Sequence, residues 1–280
     1  MIGTTAVVLD SACYLPRHIV DRYGATVVPL TVVVNGVAHR EFEDIDTSLF
    51  YARLAAGDAV TTSQPPPGRF VDAYTRAAQA GAKRILSIHI GSNVSGTVNG
   101  ARLAAQESPI PVHIVDTGQA SFVEGLCAWE AMEALAAGAS PHEAEASAHR
   151  AGAASGNVFI VRGMDLLLRG GRYRGDVNAP GVPVLAMLDG AARPVGAAST
   201  VAEAMEAMTG HVAQALTANP GKQFRIGISN GAADELAEQL EWRVRELAPS
   251  AEVMQYEIGP AVGAHTGPGC TGAVFLPRPV

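Results

Sequence analysis

Along the first half of the chain, short apolar runs alternate with amphipathic stretches. TAVVLDS is β-branched and ends in a carboxylate, and YLPRHIVDRYG follows as a helix with Pro16 early and Gly24 at its end. ATVVPLTVVVNGVAHR reads as a second strand turned into a small hairpin at Asn35-Gly36, a pair that suits a two-residue turn with positive φ. DTSLFYARLAAG reads as a helix that stops at Gly57, and DAVTTSQPPPG as a polar, proline-rich connection into a helix over about Phe70 to Gln79. KRILSIHIG and PVHIVDT read as buried strands, each followed by a helix, SGTVNGARLAAQ and SFVEGLCAWEAMEALAAG. Strand and helix alternating at this spacing predict parallel pairing with right-handed crossovers. A further helical stretch, PHEAEASAHRAGAAS, carries the chain to about Ser155.

From Val158 the pattern changes. Hairpin signals flank the strands, notably Asp189-Gly190 between VPVLAML and ARPVGAAS, and two long helices follow, Val201 to Leu216 and Ala232 to Leu247. The pattern predicts two domains: residues 1–155 as a doubly wound α/β layer with a mostly parallel sheet, and 156–280 as an α+β domain with a mixed or antiparallel sheet. The 280 residues exceed the usual size of a single core, which agrees with two domains.

Composition sharpens this picture. The chain is 48% hydrophobic but only 5% aromatic, so burial rests on Ala, Val, Leu and Ile, as in sheets covered by small-residue helices. A net charge of −7 argues against a general nucleic-acid binder, which needs a basic face. Of the basic residues only Lys83 and Lys222 are lysines, a skew that carries no binding implication. Cys13, Cys127 and Cys270 form no C-x-x-C pair and suit reduced thiols. The start goes straight into a strand pattern without a signal-peptide core, and no apolar run approaches ~18 residues. The expectation is a soluble cytoplasmic protein without integral membrane association.

The tail GPAVGAHTGPGCTG presents one ionisable side chain, His265, in a glycine-rich run of the kind kept for close backbone approach or positive φ. It contains a literal G-x-G-x-x-G at Gly267, Gly269 and Gly272. A dinucleotide fingerprint must follow a strand and open a helix, whereas this one leads into AVFLPRPV, an apolar stretch with Pro277 and Pro279. No nucleophile elbow, H-E-x-x-H or P-loop is present. The eight histidines show no metal-ligand spacing, so no metal is predicted, and His89 in LSIHIG reads as a packed structural residue. What remains are hydroxyl clusters at strand ends, TTSQP at Thr61 to Pro65 and SNVSGT at Ser92 to Thr97, the latter just before a helix. There Ser95 and its neighbours could hold an anion or simply cap the helix.

Taken together, LDSACYLP, VVPLTVVVNG, TTSQPPPGRF, SNVSGT, IVDTGQASFVEG, LLLRGGRYRG, LAMLDGAARPV and IGPAVGAHTGPG resemble the DegV family in order and approximate spacing, from about Leu9 to Gly272. The resemblance implies a two-domain EDD fold that binds one long-chain fatty acid between its domains, with no other cofactor. It also implies similarity to the acyl-carrying, non-enzymatic subunit of a bacterial fatty-acid kinase, whose ATP-using partner phosphorylates the bound carboxylate. Carried over residue by residue, the carboxylate contacts are Thr62, Ser95 and His265, with Thr61 and Ser92 as near alternates because the sequence does not fix which neighbour faces inward. Gly170, Gly171 and Arg172 keep the family's Gly-Gly-Arg, and Arg172 with Arg169 and Arg174 would dock an acidic partner. GAAS at Gly196 to Ser199 replaces basic residues the family often carries, and Cys13 stands where the family commonly has a hydroxyl.

The chemistry is coherent on its own terms. A buried carboxylate needs donors, and two hydroxyls plus an imidazole N–H provide them without an arginine that would lock the anion too tightly for transfer. Charge-assisted hydrogen bonds contribute about 1.5–3 kcal/mol each, while acyl burial contributes roughly 0.8 kcal/mol per methylene, of order 10 kcal/mol for a long chain. A tunnel would then set affinity, and the polar trio would set head-group identity. Binding is expected to vary as His265 titrates between about pH 5 and 8. The rival reading is a hydrolase or acyl transferase using Ser95 or Cys270 with His265 as base, oriented by Asp10 or Asp116. A third is a lipid store or sensor without a kinase partner.

Overall fold

The computed structural model describes residues 1–176 and 180–278, and their contacts divide them into two compact units. The first comprises Met1–Ile45 and Ala59–Ala153; the second comprises Asp46–Asp58 and Ala154–Val280. Chain continuity would place 46–58 with the first unit, but its contacts place it with the second.

In the first unit, β1 (Thr5–Asp10) is buried along its whole length, as a strand covered on both faces must be. It pairs in parallel with β2 (Thr26–Val28) and β6 (Arg84–His89), and β6 pairs in parallel with β7 (Val112–Asp116), giving the sheet order β2-β1-β6-β7. Helix α1 (Arg17–Tyr23) ends on Gly24 at φ 60°. α3 (Pro67–Gln79) starts with proline in its first turn, and it packs with α4 (Thr97–Ala105) on one face of the sheet through Phe70, Tyr74 and Ala101. α5 (Phe122–Ala136) buries Leu126, Trp129 and Met132. α6 (Pro141–Ala154) opens on a capping box in which Ser140 N–H donates to Glu143 Oε2 at 2.8 Å and Glu143 N–H donates to Ser140 Oγ at 3.3 Å. This confirms the parallel α/β reading.

A small second sheet was only half legible. β3 (Thr31–Val34) and β4 (Val37–Arg40) form the predicted hairpin, with Asn35 and Gly36 at φ 50° and 81°. The sequence leaves Val60 to Ser63 in a polar connection, yet these residues are β5 (Val60–Ser63), antiparallel to β3. The stretch is too polar to read as a buried strand, and it is an outer strand, where the threonines' β-branched shape suffices.

In the second unit six strands, β8 (Gly156–Ile160), β9 (Val182–Leu188), β10 (Ala191–Ala198), β11 (Gln223–Gly231), β12 (Glu252–Glu257) and β13 (Cys270–Arg278), form one sheet in the order β10-β9-β8-β13-β11-β12. β8, β9 and β10 run antiparallel to their neighbours, and Asp189-Gly190 forms the predicted turn. β11 pairs in parallel with β12. β13 lies between β8 and β11, antiparallel to both. The tail is therefore a core strand. Pro277 is tolerated near the strand's end, and Pro279 lies outside the described residues. α8 (Val201–Ala218) and α9 (Asp234–Leu247) pack on this sheet through Met205, Met208, Leu240 and Val244. Two short helices, α7 (Asp165–Arg169) and α10 (Pro260–Thr266), fall where the sequence pattern predicts none. α2 (Thr47–Ala55) packs against α10, with Tyr51 OH donating to Ile258 O at 3.1 Å.

Candidate functional site

In the first unit the pleat of β5 separates the two threonines. Thr62 is half-buried and pairs with Val32, a fully buried residue of β3, whereas Thr61 points to the exposed side. The motif TTSQP meets SNVSGT through Gln64, a residue that sequence reasoning missed. A Cβ at Gly96 would overlap Gln64 Oε1, and one at Gly100 would stand 3.4 Å from Pro65 O. The glycine of this second motif, Gly96, thus lets the Gln64 side chain of the first approach closely, while Gly100 on α4 is in ordinary contact with it. Ser95 is half-buried. Its Oγ lies 2.9 Å from Thr97 Oγ1 and accepts from Thr97 N–H at 3.3 Å, next to the first turn of α4. Ser92 is exposed, and its N–H donates to Asp116 Oδ1 at 3.0 Å. Of each pair, the half-buried members are Thr62 and Ser95.

In the second unit His265 sits in the last turn of α10. The glycines around it serve two ends. At Gly263 a Cβ would stand 2.7 Å from Tyr51 Oη, so α2 can approach α10 only over glycine; Gly267 and Gly269 take φ of 72° and 85° to turn the chain into β13. The His265 ring is half-buried beside Arg172, whose Nη1 lies 3.2 Å from Nε2 and 3.4 Å from Nδ1. Burial and, after it, the Arg172 cation push the imidazole down to about 4, so it is neutral at physiological pH. This overturns the expected titration between pH 5 and 8 in the ligand-free protein. A Cβ at Gly170 would stand 2.6 Å from His265 Nδ1, which explains the glycine preceding Gly171 and Arg172. The sequence reading set arginine apart from the head-group residues, yet Arg172 is at His265. Arg169 and Arg174 are exposed, Arg169 donating to Asp165 O at 3.4 Å and Arg174 to Gly171 O at 3.0 Å.

The groups a hydrolase would need are otherwise engaged. Cys270 is buried and its thiol is pushed up to about 12, chiefly by desolvation, which removes the thiolate nucleophile. Asp116 accepts from Ser92 and Gly118 N–H. Asp10 accepts from Ala12 and Ile90 N–H, both at 3.0 Å, and stands 3.1 Å from His89 Nδ1. His89 Nε2 is 2.7 Å from Ser87 Oγ, which is 2.9 Å from Tyr74 Oη. Ser87, His89 and Asp10 thus have the spacing of a Ser-His-Asp triad, but all three are fully buried and Ser87 is shared with Tyr74. His89 is the packed residue the sequence suggested.

Beside Asp10 lies a second carboxyl, Glu124, in the first turn of α5. It is fully buried, and neither oxygen has a hydrogen bond of ordinary geometry among the described residues. Desolvation, followed by the charges of Asp10 and Glu41, holds its pKa well above the usual range, so it is protonated. Glu41 in turn accepts from Ser11 Oγ and, at 3.2 Å, from Tyr14 OH. Cys13 in this loop is buried, and its thiol is raised by burial and by Glu124.

A parallel α/β unit and a mixed-sheet α+β unit, bearing hydroxyl, imidazole and guanidinium groups on glycine-rich turns, define a two-domain α/β protein of the EDD type. The chain belongs to the DegV family, described as uncharacterised proteins, whose sequence model matches residues 4–278. The DegV domain-containing protein SCO2569 of Streptomyces coelicolor is 36% identical over 279 residues, covering 98% of each chain. A DegV family protein from Thermus thermophilus, described by its fatty acid binding, is similar at 31% identity with TM-score 0.88, covering 98% of this chain and 99% of that one. Bacillus subtilis DegV shares the fold at TM-score 0.90 and 24% identity, covering 98% of this chain and 99% of that one. No helix among the described residues is long and apolar enough to cross a membrane.

Proposed function

We propose that this protein is a fatty-acid carrier, itself without catalytic activity, that holds a long-chain acyl ligand by its carboxylate and presents it to a separate ATP-using kinase. The observation that carries the reading is membership of the DegV family together with similarity, over nearly the whole chain, to the fatty-acid-binding Thermus protein. The residues that hold the carboxylate are Thr62, Ser95 and His265. Their half-burial supports this: a group open enough to meet a ligand and shielded enough to strengthen its hydrogen bonds suits an anion site. The neutral His265 donates one N–H, and Arg172 beside it adds positive potential. Arg169 and Arg174, both exposed, supply the basic docking surface for the kinase.

Two measurements test the two halves. Lipids extracted from the purified protein are identified by mass spectrometry, with fatty acid expected at about one per chain. A lipid-free preparation that also fails to take up added fatty acid refutes binding. ATP-dependent formation of acyl phosphate with a candidate kinase tests presentation, and its absence with lipid-loaded protein reduces the function to lipid storage.

A further inference from the structure

Four titratable side chains, none of them assigned a role above, converge on the surface of the first unit. His142, Glu145 and His149 recur at i, i+3 and i+7 along α6 and so share one face of that helix. His113 joins them from β7, an outer strand of the parallel sheet. His113 Nε2 is 2.7 Å from Glu145 Oε2, His142 Nδ1 is 3.5 Å from the same oxygen, and His149 Nε2 is 3.6 Å from Oε1. The rings of His113 and His142 stand edge to face, 6.5 Å between centroids. One ligand atom from each of His113, His142 and Glu145 lies within 4.8 Å of the other two.

We propose that His113, His142 and Glu145 form a binding site for a divalent transition-metal ion of the zinc class. Tetrahedral zinc with bonds of about 2.0–2.2 Å sets its ligands about 3.3–3.5 Å apart. The His142–Glu145 spacing of 3.5 Å already meets that, and the His113–Glu145 hydrogen bond at 2.7 Å need open by only about 0.6 Å to admit the ion. The donor set, two imidazoles and one carboxylate, is the borderline type that selects zinc, copper or nickel over magnesium or calcium. His149 stands 3.6 Å from the other carboxylate oxygen, outside the ligand set. Because two ligands are on α6 and the third on β7, the ion would pin the helix to the outer strand. Sequence spacing alone could not show this, since His113 lies on a different element and only folding brings it to the helix.

Zn²⁺ is titrated into the metal-free full-length protein by calorimetry, and Co²⁺ uptake is followed by visible absorption. The expected result is one ion per chain with a tetrahedral-type Co²⁺ spectrum. His142→Ala should weaken Zn²⁺ binding at least about tenfold. The variant will fold, since the His142 side chain is 86% exposed. His18→Ala, at an exposed histidine outside the cluster, should bind as the parent does. A parent protein that takes up no Zn²⁺, or a His142→Ala variant that binds it with parental affinity, overturns the proposal.

Discussion

Glu124 is a fully buried carboxyl, and its consequence for stability has a definite sign. The side chain is fully buried beside Asp10 and Glu41, without a hydrogen bond of ordinary geometry among the described residues, so the folded protein keeps it protonated. Unfolding returns it to water, where it ionises near its ordinary value of 4.5. Above that pH the folded state holds one more proton than the unfolded state, and stability falls by about 1.4 kcal/mol per pH unit until the folded pKa is reached. Below pH 4.5 both states are protonated and the contribution is fully present. Glu124→Gln keeps the volume, removes the titration and offers its amide to Asp10. The difference in unfolding free energy between variant and parent should therefore grow with pH, by about 1.4 kcal/mol per unit for as long as the pH stays below the folded pKa. Effects of other groups are common to both proteins and cancel to first order.

The two units need separate probes, because a chain of two domains need not unfold in one step. Trp129, buried in α5, reports the first unit once the exposed Trp242 of α9 is replaced by Phe. Urea unfolding followed by Trp129 fluorescence, from pH 5 to 7.5, gives the two curves. Parallel curves would refute the reasoning, and so would a variant that loses stability relative to the parent as pH rises.

Three further outcomes follow from the geometry. Gly170→Ala places a Cβ 2.6 Å from His265 Nδ1 in otherwise ordinary backbone, so the fold should survive while fatty-acid affinity falls roughly ten- to hundredfold, the worth of one charge-assisted hydrogen bond; unchanged affinity in a fluorescent fatty-acid displacement assay would argue against His265 as a contact. Arg172→Gln removes the second cause of the low His265 pKa, so the imidazole midpoint should rise from about 4 while staying below 6.5, because burial remains the larger cause; ring NMR of the ligand-free protein measures it, and an unmoved midpoint contradicts the assignment. Cys13, Cys127 and Cys270 are all buried with raised pKa, so a thiol reagent at pH 8 should find none of them in the native protein and all three after unfolding; a fast-reacting native thiol would reopen the nucleophile reading.

Much of this was legible because local rules act locally. The β1 run, the Asn35-Gly36 and Asp189-Gly190 turns and the capped helices announce themselves by period and by turn chemistry. β5 was hidden because its polar alternation suits an outer strand as well as a loop. α10 was hidden because its seven residues include Pro260 and Gly263 and stand between Gly259 and Gly267, and only the packing of Phe50 and Tyr51 over Gly263 explains that glycine. The candidate site divides the same way. Thr62 and Ser95 could be named from the family resemblance of their motifs, but that they, and not Thr61 and Ser92, are the half-buried members needed the strand's pleat and the loop's exposure. Gln64 and the place of Arg172 at His265 could not be read at all, since neither follows from spacing along the chain.

Two histidines, His89 and His265, bear on the functional case by contrast. His89 has what a hydrolytic base requires, a serine at 2.7 Å and a carboxylate at 3.1 Å, yet all three groups are fully buried, so no substrate carbonyl can reach them. His265 is half-buried but stands beside a cation instead of a carboxylate, and its imidazole is held near 4. A base so weak accepts a proton poorly at neutral pH, and the Arg172 cation beside it disfavours the imidazolium that a catalytic step would form. The same features suit holding an anion: a neutral N–H donor with a guanidinium behind it stabilises a carboxylate in place without transferring a proton. Where the partners for proton transfer exist there is no access, and where there is access the partners favour binding. This division supports the proposed binding role over a hydrolytic one.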